Sequence, residues 1–263
     1  MRGMLALAVV LAAAGAVWAD EPVASAPDRL PALRAAFAAD PENEEVRREL
    51  AIVLHAEKHL DEAVQHFEWL ARRSPSVRSL LDLAIAYRSV SRLDESAATY
   101  GRLLELSPNN PVALHNLASL AFQQGDPEKA IAMFRKAIAV KPDYLLAHVH
   151  LADMLRHVER NEEAYREYEK ALELEPTTSA ELAAFDEALY HMATLDMAMG
   201  AYERAGQLLA ELLHANPEHP SAYYAFGQVL LYLGRPDEAQ KAFEQHQRIL
   251  AKQVPKSPMA HGE

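Results

Sequence analysis

The chain has 263 residues, half of them apolar, with nine glycines, no cysteine and a formal net charge of −12. The missing thiols exclude disulfides, thiol catalysis, Cys-ligated zinc, covalent haem attachment and a lipidated N-terminal cysteine. The acidic balance argues against phosphate-backbone partners, so nucleic acid is not expected.

Met1-Arg2 is a short basic start, and an apolar run of Leu, Ala and Val extends from Met4 to Ala16. Val17-Trp18-Ala19 then places small residues three positions and one position before Asp20. That layout predicts a signal peptide over residues 1–19, cleaved after Ala19, and hence a periplasmic or secreted protein. The alternative is an uncleaved anchor, although the run is short for a span of about 20 apolar residues. No integral membrane segment is expected after cleavage.

Residues 20–43 form an N-terminal segment. Within it, Leu30, Leu33, Ala36 and Phe37 share one face of an expected capping helix over 28–39. From there prolines recur at Pro41, Pro75, Pro108, Pro142, Pro176 and Pro217, in steps of 34, 33, 34, 34 and 41 residues. A step near 34 indicates helix–turn–helix units, each of which leaves an apolar face that its neighbours must cover.

The unit from Pro111 to Pro142 shows the logic best. Leu114, Leu117, Ala118 and Ala121 line a first helix, and Gly125-Asp126-Pro127 makes the turn. Asp126 can cap the second helix, and Pro127 can occupy its first turn, where the missing N–H is harmless. Ala130, Ile131, Phe134, Ala137 and Ile138 line that second helix. Small side chains fall where helices must approach closely, and Phe134 and Tyr168 supply large knobs for the adjoining hairpin. The closing proline breaks the second helix.

This pattern resembles the tetratricopeptide repeat. The resemblance covers 44–252 as six repeats, at 44–75, 77–108, 111–142, 145–176, 186–217 and 220–251, and implies an all-α, right-handed superhelical solenoid of antiparallel helix pairs. Ser96 stands where the family has a small Ala, Leu209 where it has an aromatic, and Ala251 where it has the final proline. An insertion at 177–185 reads as an extension of the fifth unit's first helix. Residues 253–263, with Pro255, Pro258 and Gly262, read as a disordered tail.

In this family the first helices line a concave face, with their second, fifth, ninth and twelfth positions pointing inward. That geometry implies partner-binding positions at Arg48, Arg78, Arg88, His115, Phe122, Arg156, Tyr190, Met197 and Tyr224. Arginine forks suit carboxylates, including a partner's C-terminus, and Tyr and Met suit an apolar segment. The competing expectation is that the arginines pair locally with Glu45, Asp82 and Asp153. The two-asparagine basic clamp of chaperone-binding relatives is not reproduced, since only Asn116 sits near a fitting place.

No nucleophile elbow, dinucleotide fingerprint or phosphate-binding loop is present, so neither catalysis nor a cofactor is expected. His55-Ala56-Glu57-Lys58-His59 misses the zinc-protease spacing, because Glu57 stands one place late and about 100° around the helix. His55, His59 and His66 remain metal-ligand candidates, since imidazoles at i and i+4 can chelate a divalent ion. The expected function is a non-catalytic scaffold that binds a partner peptide or helix. The alternatives are histidine-mediated metal delivery and a self-associating assembly subunit with Phe226, Tyr232 and Phe243 at an uncapped end.

Overall fold

The computed structural model describes residues 29–253. The expected signal peptide, residues 20–28 and residues 254–263 of the expected tail lie outside the described residues.

Within them the chain forms thirteen helices and no strand. They are α1 (Arg29–Ala39), α2 (Glu44–Ala56), α3 (Leu60–Arg73), α4 (Val77–Ser89), α5 (Leu93–Leu106), α6 (Pro111–Gln123) and α7 (Pro127–Val140). There follow α8 (Leu145–His157), α9 (Asn161–Leu172), α10 (Ser179–Ala198), α11 (Tyr202–Ala215), α12 (Pro220–Tyr232) and α13 (Pro236–Gln253). Helix α13 takes in Gln253, which the sequence reading placed in the tail. Residues 179–185 of the insertion open α10, which has 20 residues, and Thr178 and Glu181 form a capping box at its start.

Local chemistry sets the ends. Asn43, Ser76, Asn110 and Thr178 cap first helices through their side chains, and His219 does the same for α12. Asp126 accepts from the Lys129 N–H, with Pro127 in the first turn of α7 as predicted. Each turn between the first and second helix of a unit contains one residue with positive φ. These are Lys58, Ser91, Gly125, Glu159, Gly200 and Gly234. In five of these turns the next residue's N–H returns to a carbonyl five residues back, as in His59 to Leu54 and Asp126 to Ala121. That is the Schellman closure, which needs a left-handed residue at its centre.

The size pattern becomes the packing. Ala63, Ser96, Ala130, Ala164, Ala205 and Ala239 are completely buried at equivalent places in the second helices. Phe67, Tyr100, Phe134, Tyr168 and Leu209 are buried knobs four residues further on. The departure at Ser96 fits because its hydroxyl donates to the Ala84 carbonyl at 2.7 Å. The hydroxyl is therefore satisfied within the core.

The chain divides into two compact units between Val158 and Glu159. The first contains α1 to α8 around a core that runs from Leu33 through Phe67 and Tyr100 to Leu120. Helix α1 closes one end of it: Leu33 is buried, Arg34 pairs with Glu62 at 2.7 Å, and Phe37 meets His66 edge-on at 5.1 Å. The Arg47 guanidinium lies 3.8 Å from the Trp69 ring centroid and 4.7 Å from that of Phe37. The second unit contains α9 to α13, with cores around Leu189, Leu209 and Val229 and around Leu230 and Ala239. None of the helices among the described residues is long and apolar enough to cross a membrane.

Candidate protein-binding face

In the first unit, α2, α4, α6 and α8 are successive first helices, and their side chains touch at one-repeat separations. Arg48 Nε donates to Asp82 Oδ2 at 3.0 Å across 34 positions, with both side chains largely buried. His55 Nε2 meets Ser89 Oγ at 2.7 Å, also across 34 positions. His115 Nε2 meets His150 Nδ1 at 2.7 Å across 35 positions. The Phe122 ring packs edge-on against His157 at 5.2 Å.

These contacts refine the sequence-predicted positions. Arg48 is engaged by Asp82, one of the local partners the sequence offered. His115 is only 2 % exposed, so it is a core group rather than a presented one. Burial also puts Arg88 inside the face, at 8 % exposure, and pushes its guanidinium below the ordinary arginine range. Its hydrogen bond is a long one, 3.4 Å to Asn116 Oδ1. Arg78 is exposed, and Phe122 and Arg156 are half-buried.

Burial holds His115 well below the usual imidazole range, and neighbouring His150 and Arg88 add to the effect. His150 is lowered by burial and by Arg88, against an opposing pull from Asp153. Tyr100 is raised by burial, and its hydroxyl lacks a hydrogen-bond partner. Of this polar interior the sequence reading offered the Arg48–Asp82 pair as a local alternative, whereas it set His115 on the presented face. The legible signal was the recurrence of polar residues one repeat apart, Arg48 with Asp82 and His115 with His150.

In the second unit, α10 and α12 carry an aromatic face. Tyr190 is half-buried, with ring centroids of His191 and His219 at 5.5 and 5.4 Å. His219 Nδ1 accepts from the Ala222 N–H. One side chain thus caps α12 and supports Tyr190. Tyr224 is 48 % exposed, flanked by Phe243 at 5.7 Å and His246 at 5.4 Å. Met197 is half-buried and Leu231 exposed. A cleft of about 450 Å³ lies elsewhere in this unit, lined by Asn161, Tyr165, Leu195, Met199 and Arg204.

The metal candidates do not assemble. His55 is bonded to Ser89, His59 is the exposed residue preceding α3, and His66 packs against Phe37. Among the described residues no group of three or more metal-ligating side chains is brought together.

Tetratricopeptide-repeat family models match residues 76–143, residues 196–255, and residues 30–76 with 115–180, together well over half the chain. The peroxisomal targeting signal receptor of Eremothecium gossypii is 31% identical over 148 residues, 55% of this chain and 24% of the receptor. The RNA polymerase-associated protein CTR9 of Caenorhabditis elegans is 23% identical over 206 residues, 76% of this chain and 18% of that protein. The chain therefore spans a quarter or less of these two relatives. Of solved structures, a crystal structure of MamA aligns with a TM-score of 0.58 and 20% identity, covering 69% of this chain and 98% of MamA. YrrB, described as a TPR protein with an unusual peptide-binding site, aligns with a TM-score of 0.58 and 19% identity, covering 71% of this chain and 93% of YrrB. At these identities the likeness speaks to the fold, which is the all-α tetratricopeptide type. Helix pairs at a step near 34, closed by left-handed turns and packed small against large, agree with the matched residues, and the chain is a tetratricopeptide-repeat protein.

Proposed function

We propose that this protein is a non-catalytic scaffold that holds a segment of a protein partner against its first helices. We place it in the periplasm or outside the cell, on the strength of the leader-like residues 1–19. The observation that carries the binding reading is Tyr224. It is a large aromatic side chain left 48 % exposed on a first helix, packed beside the rings of Phe243 and His246. A half-exposed tyrosine has few rotatable bonds and offers contact area at low entropic cost, as binding anchors do. Tyr190, braced by His219, is a second such side chain in the same unit. The family supports the reading in general terms, and relatives include a targeting-signal receptor and a protein with a peptide-binding site.

The test is quantitative capture. Partners retained by the full chain should fall about tenfold or more with Tyr190→Ser plus Tyr224→Ser, and remain unchanged with Gln207→Ser on the second helix α11. Equal retention by all three proteins would remove the reading.

Self-association has one observation in its favour. Leu231, Tyr232 and Leu250 of the last hairpin are 53 %, 67 % and 42 % exposed. Sedimentation across a concentration series decides it: a constant monomer mass rejects self-association, and a mass that rises with concentration supports it.

A further inference from the structure

Arg88, Phe122 and Arg156 occupy the same register on α4, α6 and α8, at 34-residue steps. The neighbouring helices of this series are in direct side-chain contact, through Arg88 with Asn116 and through Phe122 with His157. The register thus sets one arginine on each of the two first helices that neighbour the helix carrying Phe122.

The cations are unusual in being unbalanced. Among the described residues neither Arg88 nor Arg156 has a carboxylate in ion-pair range, although the chain carries 38 acidic residues. Arg48 shows the contrast, since it meets Asp82 on the next first helix. At the corresponding place on α6 stands Asn116, which offers Arg88 a neutral oxygen at 3.4 Å. A buried guanidinium with one long neutral contact is costly, because buried charges are ordinarily paired. Arg156 has a second deficit: its Nε is buried and makes no hydrogen bond. Tyr100, on α5 and close enough to act on Arg88, also keeps a buried hydroxyl without a partner.

We infer that Arg88 and Arg156, with Phe122 between them, receive an extended acidic segment of the partner, one carboxylate at each arginine and an apolar side chain on the ring. This deepens the scaffold reading and rests on it. Packed helices stand about 8–10 Å apart, so two steps place the arginines roughly 16–20 Å apart. At about 3.3 Å per extended residue, the two carboxylates belong about five or six residues apart. Arginine forks suit this task because they meet carboxylates with two parallel hydrogen bonds. Charge complementarity names the occupant: a net-acidic protein has left two cations unpaired on one face.

Fluorescence polarisation of a labelled peptide tests this with the full chain. The probe is Gly-Glu-Ser-Leu-Ser-Ser-Glu-Gly, dye-labelled at its N-terminus and amidated at its C-terminus. A second version carries Gln at both Glu positions, and a third keeps the Glu residues with a free C-terminal carboxylate. Saturable binding of the Glu peptide is expected, weakened tenfold or more by the Gln exchange and weakened by added salt. Arg88→Gln and Arg156→Gln should each lower affinity about tenfold. Arg102→Gln, an exposed change on α5, should not. Binding that requires the free C-terminus would overturn the assignment to side-chain carboxylates. Equal binding of the Glu and Gln peptides would overturn it too, as would wild-type affinity in Arg156→Gln. Arg156 is less buried than Arg88, so that variant keeps the test sound if Arg88→Gln unfolds. Loss of partner on Tyr224→Ser, with no acidic-peptide binding, would sink this inference and leave the scaffold reading standing.

Discussion

His115 Nε2 and His150 Nδ1 face each other at 2.7 Å across helices α6 and α8, so one proton serves two buried nitrogens. The rings stack at 4.9 Å with 28° between their planes, and Tyr144 and Phe134 close over His115 at 5.2 and 5.3 Å. One ring must donate and the other accept, and a proton added to the accepting nitrogen turns the bond into a clash of two donors. Arg88 sits close enough to make that second charge still less welcome.

This pair makes stability depend on acid. Both imidazoles are lowered from 6.5 in the folded chain, so below about pH 6.5 the unfolded chain binds more protons than the native one. The stability they contribute is fully present above that pH and is lost as pH falls through and below it. Each depressed histidine contributes a slope of up to about 1.4 kcal/mol per pH unit. The Tm should be flat from pH 9 to 7 and fall by roughly 5 °C or more between pH 6.5 and 5. A His115→Gln, His150→Gln protein should fall less. Its residual slope would come from His55 and His66, which burial also depresses. An identical fall in both proteins would contradict this account of the pair.

Gly227 on α12 is set by Phe243. A Cβ there would stand 2.5 Å from Cε1 of the Phe243 ring and 2.8 Å from two further ring atoms. Helix propensity favours Gly→Ala by about 1 kcal/mol. Overpacking opposes it by about 1–3 kcal/mol. Gly227→Ala should therefore lower the urea midpoint in the wild type and raise it in a Phe243→Leu background. A raised midpoint in both would mean that the ring moves aside freely.

The hairpin turns give a third prediction. Lys58, Ser91 and Glu159 hold φ of 68°, 60° and 61°, where glycine serves in the other three turns. A side chain in the left-handed region costs about 1–2 kcal/mol, partly offset by the greater entropy glycine loses on folding. Glu159→Gly and Lys58→Gly should each stabilise by about 0.5–1 kcal/mol, and Gly125→Ala should destabilise by a similar amount. Denaturant titrations of the three variants would show the opposite signs.

Asp196 and Arg204 should respond unequally to substitution. Two hydrogen bonds join them, but the Asp196 side chain is completely buried while that of Arg204 is 49% exposed. Removing the arginine strands a carboxylate in the interior, whereas Asp196→Asn leaves the arginine in water with an oxygen still facing it. Arg204 also lies over Tyr165, whose hydroxyl burial and Asp196 push up to about 12. Arg204→Ala should lower Tm more than Asp196→Asn, and the reverse order would show that the pair is not organised by desolvation.

Much of this fold is legible in the sequence because its determinants are local. Proline spacing gives the repeat step, and Ala and aromatic positions give the close approaches and the knobs. Asp126-Pro127 announces a helix start, and the content of 177–185 announces the long α10. The non-glycine turns at Lys58, Ser91 and Glu159 were hidden, since those residues carry no preference for positive φ. The candidate face was only half legible. Periodicity says which side of a helix Arg48, Arg88 and His115 occupy, but not what the next helix sets against them. That depends on the stagger between neighbouring repeats, which brings Asp82 to Arg48, Asn116 to Arg88 and His150 to His115. Hence Arg48 is occupied and His115 is core, while Tyr224 stays exposed.

Site-specific photo-crosslinking tests the central claim most directly. A benzophenone amino acid would replace Tyr224 on a first helix and, separately, Gln207 and Gln240 on second helices, in the full chain expressed in its own cells. The scaffold reading predicts one partner crosslinked in high yield from position 224 and little or none from 207 or 240. Crosslinks of equal yield from all three positions, or from the second helices alone, would contradict it.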